Sequence, residues 1–223
     1  MHIPDGYLSP QTYISAYAVS IPLLAYGIKK LRENLNEETF PFIATLTALS
    51  FLVMLINIPI PGGTSGHAIG TAVLSILFNP WVAFVSISFV LIIQSLIFGD
   101  GGITAWSVNS LGMGFIASFS AYFTYKLLNR INKNIALFIS GWISIVVASF
   151  FFAIILGIQP IIAHDGSGKP LYFPFDISIT VPALLGSHIL YFGVIEGIFT
   201  LIVIKFIEKV KAHKPFGVEN NET

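Results

Sequence analysis

Stretches without a charged side chain recur along almost the whole chain, at residues 11 to 28, 41 to 60, 81 to 98, 103 to 125, 135 to 158 and 177 to 204, the last interrupted only by His188 and Glu196. At about 1.5 Å of rise per residue, each stretch as a helix is long enough for the roughly 30 Å of hydrocarbon in a bilayer. Only 10% of the 223 residues are charged, against about 25% in soluble proteins, too few to cover a globule in water. An ordinary water-soluble enzyme is thereby excluded, and an all-α polytopic membrane protein is expected. Lysine plus arginine and aspartate plus glutamate balance at 11 each, which leaves no basic field for nucleic acid. The absence of cysteine excludes disulfides, thiolate metal sites and a cysteine nucleophile, so any bound metal must be held by nitrogen or oxygen. No resident cofactor is expected.

A shorter run, Ala68 to Phe78, reads either as a crossing completed by its flanks or as a re-entrant segment. The basic residues decide how many crossings there are. Seven crossings place Lys29, Lys30, Arg32, Lys126, Arg130, Lys133, Lys205, Lys209, Lys211 and Lys214 on one side and leave Lys169 alone on the other. Six crossings would split them four and seven. The excess of basic residues on the cytoplasmic side therefore favours seven, with the N-terminus outside and the C-terminus in the cytoplasm. Residues 1–210 are expected to form one transmembrane domain and 211–223 a short cytoplasmic tail. The first apolar run starts late and follows neither a basic segment nor a small-residue cleavage site, so it is expected to be a retained helix with residue 1 kept on the mature protein.

The outer face then gathers the N-terminal tail, the stretch IPIPGGTSG before His67, the FGDGG turn at residues 98 to 102 and the loop at 159 to 176. The chain opens MHIPDG. A histidine at position 2 puts three nitrogens in a row: the Met1 amine, the His2 amide and the His2 imidazole. Together they close a five-membered and a six-membered chelate ring. With the amide deprotonated they lie nearly in a plane, which suits Ni(II), Cu(II) or low-spin Co(II) and leaves one in-plane position open. Pro4 stiffens the backbone, and Asp5-Gly6 is a turn that folds the tail back. A frayed tail with an incidental histidine is the competing reading. In PGGTSGH, residues 61 to 67, the glycines let irregular backbone run tightly through protein, and His67 is a candidate for the open position. A helix-capping loop built on Thr64 and Ser65 competes with that reading.

MHIPDGYLSP, GGTSGHAIGTA, NPW at 79 to 81, QSLIFGDGG from Gln94 to Gly102, Asn109 with Met113-Gly114, and EG at 196 to 197 together resemble the CbiM/NikM family, the cobalt/nickel substrate-binding components of energy-coupling-factor transporters. The resemblance implies a seven-helix subunit, in the plasma membrane of a prokaryote, that captures one Co2+ or Ni2+ ion as its substrate. It implies the Met1 amine, the His2 amide and imidazole, and His67 as ligands. It also implies two cytoplasmic ATPase subunits and a transmembrane coupling subunit as partners, and leaves open a small accessory membrane subunit. Asp5, Ser65, Asp100, Asn109 and His188 are candidates for outer partners that orient the ligands. For Asp100 a cap on the FGDGG turn competes, and for His188 a hydrogen bond between helices. Gln94 and Glu196 are further polar groups in apolar runs, where such groups are costly.

No GxxxxGK[ST] motif occurs; the only Gly-Lys, at 168 to 169, precedes Pro170. ATP hydrolysis therefore falls to partner subunits. Two rival functions remain. GTSG at 63 to 66 resembles the GxSG of rhomboid intramembrane serine proteases, with Ser65 as nucleophile and His188 as base; this leaves MHIPDG unexplained. A proton-coupled metal carrier would depend on Glu196 as its sole intramembrane carboxylate.

Overall fold

The computed structural model describes residues 2–60 and 64–212. Met1, residues 61–63 and the expected tail from 213 onward lie outside the described residues. Helix α1, Pro10–Asn34, starts on a proline, whose missing N–H is no loss in a first turn, and carries Arg32 against the negative end of its dipole. Helix α2, Thr39–Met54, ends well before residue 60, because the prolines of IPIP hold their neighbours extended. The chain instead forms a short antiparallel hairpin, β1 (Ile58–Ile60) with β2 (Thr64–Gly66), in the register Ile58 to Gly66 and Pro59 to Ser65. The all-α expectation is thus amended by one two-stranded hairpin.

Residues 67–70 are neither helix nor strand. Gly70 has φ +76°, a left-handed backbone that suits glycine, and opens helix α3, Thr71–Leu77. Seven residues rise only about 10 Å, so the run at 68 to 78 is helical over only part of its length and is irregular chain before that. Helix α4, Pro80–Ile93, is capped by the Asn79 side chain, which accepts from the N–H groups of Trp81 (2.9 Å) and Val82 (3.0 Å). It runs directly into a π-helical turn at Gln94–Phe98. Helix α5 (Trp106–Asn109), a π-helical stretch at Ser110–Ile116 and helix α6 (Ala117–Leu128) are continuous. Helices α7 (Lys133–Gly157) and α8 (Gln159–Ile162) follow. Helix α9 (Ile177–Ser187), a third π-helical turn (His188–Phe192) and helix α10 (Gly193–Ala212) complete the described chain.

Three stretches, Pro80–Phe98, Lys133–Ile162 and Ile177–Val210, are by length and composition apolar enough to cross a membrane. The molecule is apolar outside and mixed inside. Ile97, Leu127, Leu190 and Phe206 are more than 60% exposed, while Ser88, Ser110, Ser144 and Ser149 are buried between helices. A lipid-facing surface accounts for this inversion, since large exposed apolar patches are unfavourable in water. Close helix contacts rest on small residues: Gly112 lies against the Phe152 ring and Gly114 against Phe84. Lys133 and Glu208 pair at 2.7 Å, so the start of α7 and the end of α10 share one end of the bundle.

Candidate metal-binding site

The N-terminal tail enters the mouth of the bundle at the other end. Ile3 and Leu8 are buried among core residues. Three elements take up the polar groups of the tail. Asn109, at the end of α5, accepts from the Ile3 N–H (3.0 Å) and donates from Nδ2 to the Ile3 carbonyl (3.0 Å), so one side-chain amide does what a neighbouring strand would do. The Gly102 N–H donates to the same carbonyl at 2.9 Å. Asp5 accepts from the N–H groups of Ile103 (3.2 Å) and Thr104 (2.8 Å) and from the Thr104 hydroxyl. A Cβ on Gly102 would lie 2.3 Å from the Asp5 nitrogen. The glycine of FGDGG is therefore what lets the two backbones meet.

The path of the tail brings His2 over His67. Their rings stack with centroids 4.8 Å apart and planes 26° apart. His67 is buried, with Nδ1 2.9 Å from the Ala68 carbonyl. The two nitrogens of His2 differ. Nε2 lies 3.1 Å from Gln94 Oε1, an oxygen that only accepts; in the tautomer with Nε2–H donating to it, Nδ1 carries the lone pair that a metal needs. Nδ1 lies 3.2 Å from Asp100 Oδ1 but off the direction of a hydrogen bond, and is buried. Of the two, Nδ1 is the nitrogen that can close a six-membered ring with its own backbone amide. Burial lowers the His2 pKa below its ordinary value, against the pull of Asp100 and Gln94. Burial, the largest influence, would raise Asp100, but neighbouring charge and hydrogen-bond donors, His2 foremost among them, together hold that carboxyl low. Hydrogen bonds from Thr104 and Ile103 hold Asp5 low against its slight burial.

Two buried atoms beside Nδ1, Gln94 Nε2 and Asp100 Oδ2, also lack hydrogen-bond partners. Among the described residues no group of three histidines, aspartates or glutamates has metal-site geometry. A metal here would thus need backbone nitrogen from the chain's start in addition to imidazole.

The expected site residues fall into distinct places. His2, His67 and Asp100 come together. Asp5 and Asn109 grip the tail's backbone and its turn, not the imidazoles. Met1 and the side chain of Ser65 lie outside the described residues. His188 is buried on the inner face of the last helical body, with Nδ1 2.8 Å from the Leu184 carbonyl and 3.1 Å from Ser187 Oγ, and its ring 5.2 Å from that of Phe192. Gln94 takes the place of outer partner to His2; the signal in the sequence was a glutamine in an otherwise apolar run. Asn57, whose side chain helps to hold the Asp100 carboxyl low, carried no such signal, since it sits in a loop.

A family model described as the cobalt uptake substrate-specific transmembrane region matches residues 2–214. A probable fused nickel transport protein of Lactiplantibacillus plantarum is 40% identical over 213 residues, covering 94% of this chain and 65% of its own length; the chain spans just under two thirds of that relative. A putative metal transport protein of Methanocaldococcus jannaschii is also 40% identical over 213 residues, with 95% of this chain and 93% of the relative covered. The crystal structure of a truncated transition metal transporter matches with a TM-score of 0.90 at 40% identity, covering 94% of this chain and 99% of that one.

Proposed function

The chain belongs to the CbiM family of cobalt uptake substrate-specific transmembrane proteins, and on that premise we propose that it is the substrate-binding component of an ATP-driven energy-coupling-factor transporter, capturing one Co2+ or Ni2+ ion at its outer face. The observation that carries the reading is the pairing of His2 with His67, in which Nδ1 of His2, the nitrogen able to chelate together with its own amide, is buried and has no hydrogen-bond partner. The Met1 amine, the His2 amide and Nδ1, and a nitrogen of His67 supply four nitrogens, a set that suits Ni(II) and Co(II) far better than the oxygen-seeking Mg2+ or Ca2+. Gln94 and Asp100 hold the ring of His2 from outside, and Asn109 and Asp5 hold the chain that carries it.

Residues 1–210 form one domain that crosses the plasma membrane seven times, with α3 and the extended chain before it as one of the crossings. The tail lies outside and the end of α10 in the cytoplasm. The shared end of Lys133 and Glu208 and the clustering of basic residues there support this orientation. Two cytoplasmic ATPases and a membrane coupling subunit supply the energy. The decisive experiment uses the free amine: placing one residue before Met1, or acetylating it, removes one donor and moves the histidine out of the two-ring chelate. High-affinity Ni2+ binding is expected to disappear while the purified protein still elutes as a monodisperse species. Undiminished binding by the extended protein would exclude the N-terminal site.

A further inference from the structure

We propose that Glu196, on the last helix, is the residue that positions His67 for the metal. The inference rests on the reading of His67 as a ligand and goes beyond it to what holds the ligand in place. Residues 67–70 have neither helical nor strand hydrogen bonding, yet they lie buried within the bundle. At such a depth each backbone N–H needs a partner inside the protein. Glu196, fully buried on α10, provides two: Oε2 accepts from the Ile69 N–H at 2.6 Å and Oε1 from the Gly70 N–H at 2.9 Å. One carboxylate therefore grips two consecutive peptide units, starting two residues after His67.

The residue before His67 is fixed by the same helical body. A Cβ on Gly66 would fall 2.3 Å from Phe192 Cε2, so the strand ends flat against that ring. Phe192 and Glu196 are four residues apart, on one face. His67 is bracketed, upstream and downstream, by two side chains of a single helical body, Phe192 and Glu196. The tail that carries His2, in contrast, is held by Gln94, Asn109 and the turn at 102 to 104. The two halves of the site thus hang on different helical bodies. Moving α10 relative to α4 and α5 would part His67 from the chelate without breaking the chelate itself.

The test compares wild type, Glu196→Gln, His67→Ala and the double variant as purified full chains with an untouched N-terminus, titrated with Ni2+ and followed by visible absorption. Glutamine keeps one acceptor oxygen and turns an NH2 group toward the other N–H. Glu196→Gln is expected to weaken Ni2+ by at least about tenfold, as loss of an outer partner commonly does, and to shift the band in the same direction as His67→Ala. The double variant is expected to be no weaker than His67→Ala alone, because the second change acts only through the first. A carboxylate that merely stabilised the fold would lower thermal stability and add its full factor on top of His67→Ala. Wild-type affinity and spectrum in Glu196→Gln, or full additivity in the double variant, would overturn the proposal. If Glu196→Gln does not fold, Glu196→Asp, which keeps both oxygens but withdraws them by one carbon, must shift the band the same way or the proposal falls. A wild-type titration unaffected by His67→Ala would refute the ligand assignment itself, a different outcome from an inert Glu196.

Discussion

In the proposed site His2 offers one nitrogen to a metal while Gln94 engages the other, and the proton chemistry of the site follows. Burial holds the imidazole below its ordinary 6.5, so its neutral form, the one that ligates, persists to lower pH than in a free peptide. A free amine titrates near about 7.7 to 8.0, and the amide releases its proton only to the metal. Ni2+ affinity is therefore expected to fall about tenfold per unit above the amine pKa and about a hundredfold per unit below it, with no further steepening from His2 until below 6.5. The sign for tail docking is the same: the contribution from a buried neutral imidazole is complete above 6.5 and is lost as the pH falls through its lowered folded value. A carboxylate site on Asp5, Asp100 and Asp165 would give a nearly flat profile above pH 6 or so, so isothermal titration between pH 8 and 6 separates the two. Of these residues, Met1 and His2 as a proposed chelate are suggested by the first two letters of the chain. Asn109 as a substitute strand for Ile3 is not, because a side chain that pairs with backbone leaves no spacing in the sequence.

Among the elements, the turn at 99 to 102 shows how a glycine can decide a site without touching the ligand. Gly102→Ala would place a methyl group 2.3 Å from the Asp5 nitrogen and 2.4 Å from its Oδ1. The tail must then lift, losing the Gly102 to Ile3 hydrogen bond and the Asp5 contacts with Thr104. Overpacking of this kind destabilises the docked tail by about 1–3 kcal/mol, and Ni2+ affinity should fall by about 5- to 150-fold while the melting temperature of the bundle changes little. Gly166→Ala, which meets nothing within 4 Å, serves as the silent control. The helices themselves were legible as uncharged runs. Their interruptions were not: α2 stopping at Met54, α3 reduced to Thr71–Leu77, and π-helical turns beginning at Gln94, Ser110 and His188. Hydropathy senses length and polarity and is blind to one residue of extra winding. All three of these turns begin at a residue with a buried polar side chain, and the first of them, Gln94, meets His2 directly.

For the whole molecule, the orientation can be read with the cysteine-free background of the natural sequence. Ser167→Cys, in the loop between α8 and α9, should react with a membrane-impermeant maleimide on intact cells, and Arg130→Cys, between α6 and α7, only after permeabilisation; the reverse pattern would invert the topology. The expectation of this orientation rests on the balance of basic residues. The docking of the tail was legible only through the resemblance, because no local pattern says where a ten-residue segment will lodge. Its lodging has a kinetic consequence. The segment that carries His2 also fills the opening of the bundle, with Ile3 and Leu8 buried beneath it. If His2 ligates as proposed, stopper and ligand are one piece of chain, and an ion has no way past into a finished cage: it must be picked up by a tail that is at least partly withdrawn and carried in as the tail seats. On that reading the rate at which the site exchanges its cargo is governed by the unseating of a peptide, whichever metal it holds.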